Sequence, residues 1–126
     1  MIDIIELIRQ RIIALTSLPE IAVGWDCISD NPGPAIGVFL YAPRPNASYP
    51  LGKWSLQIQC RDEEPDKSYA LAESLSRKIP SKMETGMTAI GEHLVFISLK
   101  SGARKLKTDG SGRSVYHFEI TVIGKN

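Results

Sequence analysis

Hydrophobic residues recur at helical spacing near the start of the chain and predict a helix over residues 2–16. Asp3 and Glu6 lie near its N-terminus, where the helix dipole favours acidic side chains. Pro19 ends the helix, because proline disfavours helical backbone in the residue before it. The apolar stripe consists of Met1, Ile4, Ile5, Ile8, Ile12 and Leu15.

Ile2 and Ile13 fall outside this stripe, on the more polar side of the predicted helix. One interpretation is that both are partly exposed. The other is that the helix has a second apolar contact, such as a subunit interface would supply.

A second helix is predicted after the acidic segment 62–66. Acidic residues and the early Pro65 are typical of a helix start, whereas Arg77 and Lys78 suit its last turn. Pro80 ends the helix. Its inward stripe consists of Leu71, Ala72, Leu75 and Ile79, with Tyr69 or Ser68 at the start.

The clearest strand spans 53–61, where apolar and polar residues alternate strictly. This period of two predicts a sheet with one buried and one polar face. Its apolar positions are Trp54, Leu56, Ile58 and Cys60. Further strands are predicted at 35–41, 92–100 and 115–123, with a weaker one at 21–28.

The connections between strands are predicted as loops at 42–52, 81–91 and 101–113. The first is rich in proline and carries Tyr49 and Leu51, which makes it a candidate contact segment. The last is rich in glycine and predicts the tip of a long antiparallel hairpin. The strands therefore group into hairpins, which indicates an α+β fold: a mostly antiparallel sheet with both helices packed on one face.

Composition supports one ordinary globular domain. The chain has 126 residues, 43% of them hydrophobic, and a net charge of +1. Cys27 and Cys60 form no CxxC pair and are expected to be reduced. We expect no signal peptide and no membrane span, because acidic residues interrupt the N-terminal apolar stretch early.

Catalytic or metal chemistry finds little support in the sequence. His93 and His117 lie in strand patterns without metal-ligand spacing. The acidic cluster at 62–66 could hold calcium or act as an acid–base site, but helix-start chemistry explains it. We therefore predict no enzyme activity and no cofactor.

The segment 100–113 is the most unusual local feature, because it contains five basic residues and a single acidic one, Asp109. Its net charge of +4 leaves −3 for the rest of the chain. This asymmetry favours a directed contact, although a solvated hairpin tip is the competing interpretation. The basic residues are Lys100, Arg104, Lys105, Lys107 and Arg113.

Two segments together resemble a known family. One runs from the strand motif Leu56-Gln57-Ile58-Gln59-Cys60-Arg61 through an acidic start into the helix Tyr69-Ala70-Leu71-Ala72-Glu73-Ser74-Leu75. The other is the final strand, Tyr116-His117-Phe118-Glu119-Ile120-Thr121-Val122. With the N-terminal helix and the hairpin, this pattern resembles the tail terminators, or tail completion proteins, of long-tailed phages and prophages.

The resemblance covers residues 1–126 as one tail-terminator-like domain, in a family whose members are often called minor capsid or head–tail joining proteins. It implies a homo-oligomeric ring, commonly of six subunits, that caps the tail tube, stops its polymerisation and joins the tail to the head connector. The implied partners are the tail tube protein and the head-completion protein, with passage of DNA through the ring. The implied location is the tail–head junction of a virion made in the bacterial cytoplasm.

On this hypothesis the basic residues of 100–113 contact the tube or DNA, and Ile2, Ile13, Tyr49 and Leu51 form subunit contacts. Two alternatives stay open. One is a nucleic-acid-binding module that uses the basic hairpin, and the other is a small enzyme, for which no converging acids and bases are visible.

Overall fold

The computed structural model describes residues 4–44, 51–80, 87–90 and 93–125. Within them the helices are α1 (Ile4–Thr16) and α2 (Pro65–Lys78), with a short 3₁₀ helix at Glu20–Ala22. The strands are β1 (Val23–Trp25), β2 (Ala35–Arg44), β3 (Leu51–Arg61), β4 (Met87–Ile90), β5 (His93–Thr108) and β6 (Ser114–Lys125). They form one sheet in the order β1-β2-β3-β6-β5-β4. Only the β1–β2 pair among these strands is parallel, so the predicted α+β fold is confirmed.

The core lies between the two helices and one face of the sheet. Helix α1 buries Ile4, Ile8 and Ile12, and α2 buries Ala72 and Leu75 in the same apolar cluster. The alternation predicted for β3 is confirmed, because its apolar positions are all buried there. β6 supplies the matching residues across the central strand pair, namely Phe118, Ile120 and Val122.

The helix boundaries follow local chemistry. Ser17, with a left-handed φ of 59°, ends α1 while its N–H still bonds the carbonyl of Ile13 at 2.8 Å. Pro65 occupies the first turn of α2, where a missing N–H costs nothing. The buried Ser68 hydroxyl accepts a 2.7 Å hydrogen bond from the Asp62 N–H and so ties the helix start to the end of β3.

The predicted strand at 21–28 is wrong over most of its length. A 3₁₀ helix occupies Glu20–Ala22, and the strand ends at Trp25 because Asp26 has φ 51°. The segment after it lies directly against the sheet. A Cβ atom at Gly24 or Gly37 would overlap the Cys27 carbonyl oxygen, so glycine is needed at both.

The predicted loops are shorter than expected. The 42–52 loop is wrong at both ends, since β2 continues to Arg44 and β3 begins at Leu51. A register shift between Leu40 and Ala42 lets β2 continue to pair across the proline-rich stretch. The predicted connector at 81–91 contains the short strand β4, which pairs with the start of β5.

The predicted 101–113 loop is also mostly strand. β5 continues to Thr108, and the turn itself spans only 109–113. The long hairpin is confirmed, but most of its basic residues lie on a strand within the sheet, not at a projecting tip. Glycine content misled the loop prediction, because Gly102 lies on the irregular part of a strand.

Candidate functional site

The basic residues predicted from 100–113 lie mainly along one edge of the sheet. β4 pairs only with residues 93–96 of β5, so residues 97–108 have β6 on one side and no other described strand on the other. We call residues 97–108 the basic edge. It carries four cations and no acidic residue.

The basic edge is strongly irregular. From Leu99 to Thr108 β5 advances nine positions, while β6 advances six, from Ile120 to Ser114. Register shifts occur at three places along it. Such bulges leave residues unpaired and increase local twist, and together with basic side chains they oppose pairing with another strand. A partner of this edge is therefore expected to contact side chains more than backbone.

The cations of the basic edge lie on both faces of the sheet. Arg104 pairs across from His117 on the polar face, whereas the next residue, Lys105, pairs across from Tyr116 on the helix face. Lys107 pairs with Val115 and returns to the polar face. These three cations and Lys100 are exposed, so they present charge from both sides of β5.

Arg113 has a different environment, although it was predicted in the same set. Its guanidinium makes ion pairs with Asp30 (2.5 Å), Asp109 (2.9 Å) and Glu63 (3.4 Å). Only 11% of its side chain is exposed. The backbone N–H groups of Arg113 and Ser111 also hold the pKa of the Asp109 carboxyl below its usual value. Arg113 therefore organises the hairpin turn.

Arg61 lies next to this group, on the face of β3 that the alternation predicts to be polar. Its side chain is buried, and its guanidinium donates to the backbone carbonyls of Ser29, Asn31 (3.0 Å) and Gly33 (2.9 Å). Burial lowers the pKa of Arg61, with the Arg113 charge adding to the effect. We call Arg61, Arg113 and their carboxylate partners Asp30, Glu63 and Asp109 the arginine clamp.

The sequence offered no signal for the arginine clamp. Arg61 continues the polar alternation of β3 and looks like any exposed strand residue. Its burial depends on the segment 26–34 folding back over the polar face, where its carbonyls need donors. The clamp thus joins the β1–β2 connection, the end of β3 and the hairpin turn.

His117 belongs to a series of hydrogen-bonded side chains on the polar face. Gln59 Nε2 donates to Gln57 Oε1 at 2.8 Å, so Gln57 Nε2 is the donor to His117 Nδ1 at 2.9 Å. His117 Nδ1 must then be unprotonated, which places the proton of the neutral ring on Nε2. Burial lowers the pKa of His117, and Arg104 lowers it further while Glu119 opposes this. His93 has no described side chain.

The other candidate chemical groups are separate from one another. No three His, Cys, Asp or Glu side chains converge into a metal site among the residues that the structure describes. Of the acidic 62–66 cluster, Glu63 accepts bonds from Arg61 and Arg113. Cys60 is buried in the core as predicted, which raises its thiol pKa, and Cys27 is exposed.

The opposite edge of the sheet, at β1, carries an apolar pocket of about 250 Å³. We call it the edge pocket. Ile21 lies at it with 72% of its surface exposed, and the neighbouring Trp25 is 45% exposed. Trp25 Nε1 donates to Glu6 at 2.8 Å, which attaches β1 to α1. The lining residues are Leu18, Pro19, Ile21, Ala22, Ser29, Asn31, Pro32, Pro34 and Ala35.

The predicted subunit contacts are placed unevenly. Ile13 is half-buried and packs against the core of its own chain. Ile2 and Tyr49 lie outside the described residues, and Leu51 begins β3 with a side chain that is not described. Their role between subunits stays a prediction.

Comparisons with known proteins bear on the fold. No family model matches the chain, and no curated protein matches it. A solved structure whose name states no activity aligns with 96% of this chain and 89% of its own length, with a TM-score of 0.51 at 14% identity. This likeness shows a shared fold. In the described part of the chain, no helix is long and apolar enough to cross a membrane.

Proposed function

We propose that this protein is a structural component of a phage or prophage tail that assembles into a ring at the end of the tail tube. In this role it stops tube polymerisation and joins the tail to the head connector. It acts by presenting surfaces, with no catalytic step. The tube protein and the head-completion protein are its partners, and the virion is its final location.

The observation that carries the proposal is the relation between the two segments that resemble tail terminators. The strand–helix junction 57–75 and the final strand 116–122 form one packed unit, because β3 pairs with β6 along its length. Helix α2 packs on this pair, where Tyr69 and Tyr116 make an edge-to-face contact with ring centroids 5.5 Å apart. The resemblance therefore falls on a contiguous part of the fold.

The first experiment is the mass of the purified protein in solution, measured by light scattering across protein concentration and salt. A species of ring size, or a monomer that forms one as concentration rises, supports the proposal. A chain that stays monomeric at every concentration and does not bind purified tail tubes contradicts it.

A second candidate function is binding of nucleic acid through the basic edge. It is favoured by the exposed Arg104, Lys105 and Lys107, which present charge on both faces of β5. Phosphate contacts release counterions, so the logarithm of affinity should fall with the logarithm of salt by about 0.9 for each phosphate neutralised. Duplex DNA binding titrated from low to high salt separates the two functions, since ring contacts built mainly on apolar surface should depend on salt far less steeply.

A further inference from the structure

The two lateral edges of the sheet differ in the charged residues that their own segments carry. The segment 17–34, which contains β1 and flanks the edge pocket, has Glu20, Asp26 and Asp30 and no lysine or arginine. The basic edge has four cations and no acid. Three guanidiniums from other elements lie against this segment, namely Arg9 on the carbonyls of Val23 and Glu20, Arg61 on those of Ser29 and Asn31, and Arg113 on Asp30. The charge complementarity to the basic edge is therefore local, at the exposed carboxylates Glu20 and Asp26.

The acidic side also has a cavity that an apolar group would fill. The edge pocket is lined largely by proline and aliphatic side chains, and its volume of about 250 Å³ exceeds that of one leucine side chain. The exposed Glu20 lies in sequence between two lining residues, Pro19 and Ile21. Asp30 is paired with Arg113, and Asp26 accepts a hydrogen bond from the Leu40 N–H. Glu20 accepts a 3.4 Å hydrogen bond from Gln10 Nε2 and is nearer in sequence to the pocket lining than Asp26, so it is the carboxylate that a cation at the pocket would meet.

The basic edge has an exposed apolar side chain small enough to enter the edge pocket. Leu106 is 37% exposed and lies between Lys105 and Lys107. Lys105 pairs with Tyr116 and Lys107 with the adjacent Val115, so Leu106 is the extra residue of a bulge. A bulged residue leaves the regular ladder, which suits it to insertion into a partner.

Leu106 and the edge pocket lie at the same level along the strands. Ala35, which lines the pocket, pairs with Arg61, Arg61 pairs with Val115, and Val115 pairs with Lys107. Four strand spacings separate β1 from β5, which is about 19 Å. Leu106 therefore cannot reach the pocket of its own chain, whereas a second copy placed side by side could supply it.

We propose that Leu106 of one copy docks into the edge pocket of the next, with Lys105 or Lys107 beside Glu20. The inference rests on the proposed ring and names the surfaces that form it. The contact is heterologous, because the Leu106 side chain, which we call the knob, and the edge pocket are different surfaces of the same chain. Since both lie at one level of the sheet, repeated docking places the copies side by side, and a ring forms where the rotation between neighbouring copies closes.

The test compares Leu106→Asp, which removes the knob, with Ile21→Lys, which places a cation at the pocket. Leu99→Asp is the matched control, because Leu99 is also exposed on β5 (44%) but pairs with Ile120, five positions along β6 from Val115. Each of the first two variants should weaken self-association on the order of tenfold or more, the amount expected for losing one buried leucine contact. Leu99→Asp should assemble like the unaltered chain. Circular dichroism checks that all three remain folded.

Mixing the two variants gives the sharper result. A Leu106→Asp copy keeps its pocket and an Ile21→Lys copy keeps its knob, so an equal mixture should form a one-to-one dimer and stop there. Light scattering or sedimentation measures this. A mixture that remains monomeric, or single variants that assemble like the unaltered chain, would overturn the docking contact and leave the proposed ring in place. An unaltered chain that never associates, alone or on tail tubes, would overturn both.

Discussion

Arg113 and the cations of the basic edge belong to one hairpin but have opposite environments. Arg113 is largely covered and bonded to three carboxylates, whereas Arg104, Lys105 and Lys107 are exposed. Arg61 extends the first environment, because it is buried and directed at backbone carbonyls. Basic charge in one short segment thus divides between cations that hold the fold and cations that are exposed to solvent, and burial decides which.

The largest expected effect on stability is at Arg61. Arg61→Met should lower the free energy of unfolding by about 3 kcal/mol, because the carbonyls of Ser29, Asn31 and Gly33 lose the donor that they share. Urea denaturation measures it. Arg61→Lys should recover only part of the loss, since one ammonium cannot span all three acceptors. A loss below about 1 kcal/mol for Arg61→Met would show that water satisfies these carbonyls equally well.

Arg113→Gln should have the second largest effect on stability. It removes ion pairs with Asp30, Glu63 and Asp109, and the side chains of Asp30 and Glu63 are 92% and 48% exposed, so the loss should be smaller than for Arg61. The melting temperature should fall, and high salt should reduce the difference from the unaltered chain. Lys107→Gln is the control with the same charge change. Equal melting temperatures for the two variants would show that Arg113 of the arginine clamp contributes no more to stability than Lys107 of the basic edge.

A smaller effect on stability is expected from His117, which lies on the polar face opposite Arg104 of the basic edge. The pKa of His117 is lowered by burial and then by Arg104, so the native state disfavours the protonated ring. Stability should therefore fall as pH drops below about 6.5, where histidine in the unfolded chain takes up a proton. His117→Gln should flatten this dependence between pH 5 and 7.

Arg104→Gln tests how much the Arg104 charge contributes to the lowered pKa of His117. Removing the neighbouring charge should raise the pKa of His117 towards its ordinary value, but burial should keep it below. A nuclear magnetic resonance titration of the imidazole measures this directly and also reports whether Nδ1 is the unprotonated nitrogen. An unchanged pKa would mean that Arg104 is fully screened by solvent.

The smallest effect on folding is expected for Lys105→Glu combined with Lys107→Glu. Both residues are exposed, so the free energy of unfolding should change by no more than about 0.5 kcal/mol. Assembly of rings, or of infectious tails, should nevertheless be weakened by reversed charge at the contact. Normal assembly of this variant would exclude these two lysines from the contact surface.

Much of the fold could be predicted from local pattern. Among the described residues, the strict alternation of β3 and the stripes of α1 and α2 identified half of the buried hydrophobic side chains, including Ile8, Ile58 and Leu75. The prediction was wrong where glycine and proline suggested loops. β2 continues to Arg44 and β5 to Thr108, because register shifts let a strand continue through residues that disfavour it.

The sequence by itself determined which residues could enter a core, since side-chain period follows directly from helix and strand geometry. It also showed that charge is concentrated in 100–113. Only the tertiary structure decided which cations are covered, because the burial of Arg61 and Arg113 depends on segments more than twenty residues away in sequence. The same holds for Leu106 and the edge pocket, whose opposite positions depend on strand order and register, and these arise from long-range pairing.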